Sequence, residues 1–256
     1  MDLELTDRVA MITGGSRGLG KASALALAAE GCRVSTMARG AEDLKTAGGE
    51  IGARGVETLT LQGDAGKKED TERFFAETLA RFGRVDILVN NIGGSNPGGN
   101  IDDDDETWRR AFEINFFSAV ALTRLALPGM KKRGWGRIIN ISSIFGREWG
   151  GNATYMSSKA AMIALTKQLA RSVTDDAITI NSIAPGSIMF EGGSWWKRRR
   201  EDPEKIDAFI RAEIPYGRMG RPEEIGSVVA FLASAPASLI NGVCLNVDGG
   251  QSRSLI

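Results

Sequence analysis

Seven short apolar runs recur along this chain, at 9–12, 34–37, 58–61, 87–89, 138–141, 178–183 and 243–247. They are too short for stable helices and mostly rich in β-branched residues, so each is predicted to be a buried strand. Between them stand longer amphipathic stretches of helical period, at 18–30, 68–82, 106–133, 152–174 and 222–234. Strand and helix in alternation leave few topologies. Each strand crosses to a parallel neighbour through a right-handed helical connection, and the helices then cover both faces of the sheet. The prediction is an α/β fold with a seven-stranded, mainly parallel sheet and helices on both faces. No repeat, low-complexity tract or linker divides it, so 1–256 is expected to be a single domain.

Charge and composition exclude several partners. Lysine plus arginine balances aspartate plus glutamate at 32 each, so no net field draws nucleic acid or an anionic membrane. Basic and aromatic residues are not interleaved on any strand face, which removes the remaining support for nucleic acid. No run of about 18 apolar residues exists and the first residues form no signal-type stretch. Cys32 and Cys244 stand far apart, without metal-ligand spacing or a disulfide pattern, which fits a reduced cytoplasm. The acidic run 102–106 precedes a helical stretch and reads as its N-cap and first turn rather than a metal site. No metal is expected.

The first strand runs into Thr13-Gly14-Gly15-Ser16-Arg17-Gly18-Leu19-Gly20 and then an alanine-rich helix. Glycines let the backbone turn sharply and approach a pyrophosphate, while the helix N-terminus offers unpaired N–H groups to the anion. A second feature is chemical. The chain has no histidine, yet Tyr155 and Lys159 stand one helical turn apart, where an ammonium would lower the pKa of a phenol.

In this order and spacing, the glycine turn, Asn90-Asn91-Ile92-Gly93 after the fourth strand, Asn115, Ser142-Ser143, Tyr155, Lys159 and Pro185-Gly186 resemble the short-chain dehydrogenase/reductase family. The resemblance runs from residue 8 to Gly250, and the pattern is most similar to 3-oxoacyl-[acyl carrier protein] reductases. It implies a single NAD(P)-binding Rossmann domain and an oxidoreductase that moves hydride between a nicotinamide and a carbonyl/secondary alcohol pair. Tyr155 would be the general acid/base. Lys159 would lower its pKa and hold the ribose, and Ser143 would polarise the substrate oxygen. Asn115 would hold a water leading to solvent. Gly14, Ser16, Arg17, Gly18, Leu19, Gly20, Asp64, Ala65, Asn91, Gly93, Pro185, Gly186 and Ile188 would join Tyr155 and Lys159 in the cofactor site, with Asp64 at the adenine and the Ile188 backbone at the carboxamide.

The family places its serine 13 residues before the tyrosine, which here is Ser142; Ser143 lies 12 before. Side chains alternate at a strand end, and a one-residue deletion within 147–151 assigns the role to Ser143. A deletion before the serine assigns it to Ser142. The second strand ends Thr36-Met37-Ala38-Arg39 with no acid for a ribose hydroxyl, and Arg17 lies in the glycine turn. Two guanidiniums favour NADP(H) over NAD(H). Ile92 replaces the family's alanine, and Phe190 stands where the family has a threonine.

Two loops are expected at the ligand edge of the sheet, 93–100 and an irregular lid within 187–215. The lid holds Trp195-Trp196 and the cations Lys197, Arg198, Arg199 and Arg200. The tryptophans would face substrate and the cations an acidic carrier or coenzyme A, or else the tryptophans pack the lid and the cations pair with Glu201, Asp202 and Glu204. Trp149 is a candidate for the pocket wall. Substrates open to this reading are 3-oxoacyl thioesters and cyclic, steroid or sugar alcohols, and a non-catalytic NADP-binding sensor or scaffold is the other class. The resemblance also implies a homotetramer or homodimer, built on Ala160, Ala161, Ala164 and Leu165 and on strand 243–247.

Overall fold

The computed structural model describes residues 1–94, 99–173 and 177–255. The middle of the 93–100 loop and the last residue of the 152–174 stretch lie outside the described residues.

The strands are β1 (Val9–Thr13), β2 (Arg33–Ala38), β3 (Thr58–Gln62), β4 (Ile87–Asn90), β5 (Gly136–Ile141), β6 (Ile178–Pro185) and β7 (Cys244–Val247). They form one sheet in the order β3-β2-β1-β4-β5-β6-β7, with every neighbouring pair parallel. The helices are α1 (Gly18–Ala29), α2 (Ala41–Gly52), α3 (Lys68–Phe82), α4 (Asp105–Phe112), α5 (Ser118–Arg133), α6 (Ala153–Arg171), α7 (Ser194–Glu201), α8 (Pro203–Glu213) and α9 (Pro222–Ala233).

Alternation along the strands builds a core on each face. Ile12, Val34, Val89, Ile139 and Ile183 pack with Ala24 and Leu27 of α1 and Ile225 and Val229 of α9. Their chain neighbours Met11, Leu88, Ile138 and Ile180 point the other way, against Phe74, Leu122, Met130 and Ala170. Leu122 is fully buried, and truncating such a residue to alanine costs about 2–5 kcal/mol. From β1 the chain builds outward to β3 and then returns to β4 on the other side, so the strand order switches between β1 and β4. At such a switch point the loops diverge and leave a crevice beyond the strand ends.

Three stretches differ from the sequence pattern, one of them α2, which is not among the expected helices. The expected helix 106–133 is interrupted by a π-helical turn, Glu113–Phe117, between α4 and α5. The expected irregular lid contains α7 and α8, separated by Asp202, whose side chain accepts from the Lys205 N–H at 3.0 Å. α7 carries Trp-Trp-Lys-Arg-Arg-Arg and no buried face, so it has no apolar period to announce it. The acidic run behaves as capping predicts: Asp104 accepts from the Thr107 N–H at 2.8 Å, and Asp103 accepts from the N–H of Gly99 and Asn100. Among the described residues no group could hold a metal and no helix is long and apolar enough to cross a membrane. Both cysteines are free.

Candidate active site

The crevice at the switch point opens into a cavity of about 650 Å³, in the size range of cofactor and ligand sites. One side is the glycine turn between β1 and α1. Asn91, just past β4, donates from Nδ2 to the Thr13 carbonyl at 2.9 Å, and its own N–H donates to Thr13 Oγ1 at 3.0 Å. These bonds join the ends of the two strands that flank the switch point. Gly20 packs so tightly behind the turn that a Cβ there would lie 2.3 Å from the Gly14 carbonyl oxygen. No side chain caps α1, unlike α4 and α6, so its first N–H groups face the crevice without a protein side-chain partner.

Beyond the end of β2 the lining continues through Ala38, Arg39, Gly40 and Asp43, whereas Arg17, from the turn, reaches the lid, where a Cβ on Gly192 would lie 3.3 Å from its guanidinium. Asp43 is a residue the sequence pattern did not single out. It lies in the first turn of α2, where an acid needs no explanation beyond the helix dipole, and it lines the same cavity as Arg39. Asp64 and Ala65 do not line the cavity: Asp64 accepts from the Gly66 N–H at 3.0 Å, and Ala65 is buried against Met37 and Phe74. Gly18 and Gly20 stand behind the wall, whereas Gly14, Ser16, Leu19, Asn91, Gly93, Pro185, Gly186 and Ile188 form part of it.

Beyond β5, on the other side of β1 and β4, lie Ser142, Ser143, Tyr155 and Lys159. Asn152 starts α6 by accepting from the Tyr155 N–H at 3.0 Å, which fixes the first turn that presents the phenol. The adjacent serines point differently. Ser142 Oγ donates to the Lys159 carbonyl at 3.0 Å and is spent on the helix, whereas Ser143 accepts from the Phe145 N–H at 3.2 Å and is the group whose influence lowers the pKa of the Tyr155 phenol.

Lys159 is buried, and its Nζ donates to the Ile141 carbonyl at 2.7 Å and lies 5.8 Å from the centre of the Tyr155 ring. Burial pushes its pKa down to about 8. Burial also raises the Tyr155 phenol above its ordinary value, with Ser143 opposing. The expected lowering of Tyr155 by Lys159 is therefore not seen: burial raises the phenol, and the influence that opposes it comes from Ser143. Asn115 sits in the π-helical turn, with Oδ1 accepting from the Gly94 N–H at 2.8 Å and Nδ2 donating to the Gly94 carbonyl at 3.2 Å. A Cβ on Gly93 would fall 2.7 Å from Lys159 Nζ and 2.8 Å from Asn115 Oδ1, so the two side chains meet at that glycine. π-helical turns recur at functional sites because they shift side chains off the α register. The Asn115 side chain is thus anchored on the Gly94 backbone.

The lid supplies the remaining wall through Phe190, Ser194 and Trp195. Trp195 stacks on Phe209 of α8, ring centres 4.7 Å apart. Arg198 lies over Trp195, Arg200 over Trp196, and Arg199 pairs with Asp207 at 3.0 Å. Trp149 is not part of the wall; its loop turns outward and leaves it 89 % exposed.

A crevice of this kind, glycine-walled at one side and ending at a tyrosine, a serine and a lysine, defines an oxidoreductase of a recognisable class. The sequence model of a family described as enoyl-(acyl carrier protein) reductase matches residues 14–252. The chain is 37% identical over 245 residues to the 3-oxoacyl-[acyl-carrier-protein] reductase FabG of Escherichia coli, covering 95% of this chain and 97% of that one. It is 35% identical over 250 residues to the enzyme of the same description from Synechocystis, covering 96% and 98%. Among solved structures, L-sorbose reductase from Gluconobacter frateurii, complexed with NADPH and L-sorbose, superposes with a TM-score of 0.93 at 31% identity over 100% of both chains. Levodione reductase gives 0.89 at 32% identity, over 96% of this chain and 98% of that one. The chain belongs to the short-chain dehydrogenase/reductase family.

Proposed function

We propose that this chain is an NADP(H)-dependent oxidoreductase that interconverts a carbonyl and a secondary alcohol, with 3-oxoacyl thioesters as the substrate class. The observation that carries this reading is the continuity of one cavity, from Arg39 beyond β2 past Arg17 in the glycine turn to Ser143, Tyr155 and Lys159 beyond β5. The residues fit a dinucleotide. The Arg39 guanidinium suits a 2′-phosphate, the turn before α1 leaves backbone free for a pyrophosphate, and Gly186 and Ile188 offer backbone to a carboxamide.

When bound, the nicotinamide supplies hydride in reduction and takes it in oxidation. The protein's part is to position the carbonyl and manage its proton. Ser143 donates to the carbonyl oxygen, and Tyr155 Oη gives up its proton to the same oxygen as charge develops there. Burial serves this direction, since a phenol held above its ordinary pKa stays protonated near neutral pH. Lys159, at about 8, both carries charge at pH 7 and gives up a proton readily, which suits it to reprotonate Tyr155.

Within a largely polar lining, Phe190, Trp195, Ile92 and Ile188 supply apolar and aromatic side chains that an acyl chain would use better than a polyol. The exposed cations of α7 suit an acidic carrier, and the names of the curated relatives support the same class. Ala160 and Ala164 of α6 are exposed rather than in the core, and β7 is a sheet edge, which supports a homodimer or homotetramer in the cytoplasm.

The test is NADPH oxidation against acetoacetyl-coenzyme A, L-sorbose and a cyclic diketone. The highest kcat/KM is expected for the thioester. A preference for the ketose would overturn the substrate class, and tight NADPH binding without any turnover would replace the enzyme by a sensor.

A further inference from the structure

The segment after β7 makes contacts that no motif announced. Gln251 is buried, and its amide grips Ser187 twice: Oε1 accepts from the Ser187 N–H at 2.7 Å, and Nε2 donates to Ser187 Oγ at 3.0 Å. Only a side-chain amide brings an acceptor and a donor on one rigid plane to such a pair. Ser187 is itself buried, and its carbonyl accepts from the Gly220 N–H at 2.9 Å, so both its faces are held. It stands between Gly186 and Ile188, which line the cavity. A Cβ on Gly186 would lie 2.7 Å from Gln251 Oε1 and 2.7 Å from Asp248 Cβ, so this loop and the segment lie in direct contact.

The same segment reaches the other wall. Glu148, in the loop between Ser143 and Tyr155, accepts at Oε2 from Ser252 Oγ at 2.9 Å, the Arg253 N–H at 2.6 Å and the Ser254 N–H at 2.8 Å. Asp248 stiffens the span between these grips by accepting from the Gly250 and Ser252 N–H groups at 3.0 and 2.9 Å. Residues 248–254 therefore tie the loop after β6 to the loop that leads into α6.

We propose that this segment is a brace that holds the Gly186–Ile188 wall in register with Tyr155, and that Gln251 is a positioning residue for the nicotinamide half of the cofactor. The proposal rests on the NADP(H) reading above. A wall set by two hydrogen bonds to one serine loses its position when they are removed, while the Arg39 end, beyond β2, is untouched.

The experiment is a titration of tryptophan fluorescence with NADPH and, separately, with adenosine 2′,5′-bisphosphate, which lacks the nicotinamide half. Gln251→Met keeps the length of the side chain and loses both bonds. It is expected to weaken NADPH about tenfold, the scale of two lost hydrogen bonds, and to leave the bisphosphate unchanged. Gln251→Glu still accepts from the Ser187 N–H and hydroxyl and is expected to bind NADPH nearly as the native protein does. Equal weakening of both ligands in Gln251→Met would mean general loosening, and no weakening of either would mean no positioning role; each overturns the proposal. Failure of the native protein to bind NADPH would overturn the underlying reading, and it is seen before any substitution is made.

Discussion

Ser142 Oγ donates to the Lys159 carbonyl, which leaves Ser143, just past β5, as the hydroxyl that acts on the Tyr155 phenol in the first turn of α6 and lowers its pKa. Ser143 and Tyr155 are the two groups that would meet a substrate oxygen. The serine also sets the protonation of the phenol, because it opposes the upward push of burial.

Reduction is accordingly expected to be level with pH near neutrality and to fall as pH rises through the Tyr155 pKa. Ser143→Ala removes the influence that lowers that pKa, so the alkaline limb should move to higher pH while kcat drops by about 10²–10³. Tyr155→Phe should abolish measurable turnover with NADPH affinity nearly unchanged. A pH–rate profile of the native protein and both variants checks this; an unmoved limb in Ser143→Ala would separate the serine from the tyrosine.

Lys159 gives a stability prediction of definite sign. Its folded pKa, about 8, lies below the usual 10.5, so between these values the unfolded chain binds more protons and stability rises with pH. Below about pH 8 the cost of burying the charged group is fully present. Lys159→Met removes that cost, so it should gain on the native protein at pH 7 relative to pH 10 by up to about 3 kcal/mol, and it should lose turnover. Denaturant unfolding of the two proteins at both pH values measures the difference, and a pH-independent gap would refute it.

Arg39 and Asp43 oppose each other in charge beside the same stretch of cavity. Arg39→Asp should shift the ratio of kcat/KM for NADPH over NADH downward by one to two orders of magnitude, roughly the worth of a charge-assisted phosphate contact. Asp43→Asn should shift it upward by a few-fold, as removal of a carboxylate from near a phosphate requires. Steady-state kinetics with both cofactors give both ratios, and movement of either in the opposite direction would displace the 2′-phosphate from this end.

Gly20→Ala tests the glycine wall. The added methyl meets the Gly14 carbonyl and Asn91 Nδ2, within 2.4 Å of each, so the turn must open. Cofactor affinity is expected to fall by at least tenfold with a loss of about 1–3 kcal/mol in stability from overpacking. Calorimetric titration and thermal unfolding report the two effects separately.

What could be read in advance divides by how far apart in the chain the partners lie. Strand runs and the turn from Thr13 to Gly20 are local, and the parallel sheet follows from them. The interruption of 106–133 at Asn115 was hidden, because a π-helical turn keeps the composition of a helix and changes only its register. The choice between Ser142 and Ser143 turns on side-chain direction at a strand end, which residue counting across a shortened loop cannot supply. Glu148 and Gln251 are illegible in the sequence for a different reason. Their partners are distant in sequence, up to 106 residues away for Glu148, and neither sits in a distinctive local pattern.

The order of synthesis gives the brace a further meaning. Every other part of the cavity, from Gly14 to Trp195, precedes β7 in the chain. As domains emerge and fold from the N-terminal end, a nascent chain can assemble β1 to β6 while the loop after β6 still lacks Gln251. A product cut short after Val247 would keep all seven strands and lose the grip on Ser187 and Glu148. Such a fragment would resemble the native protein by its secondary structure and differ from it only at the site, where the last piece to arrive is the one that closes the work.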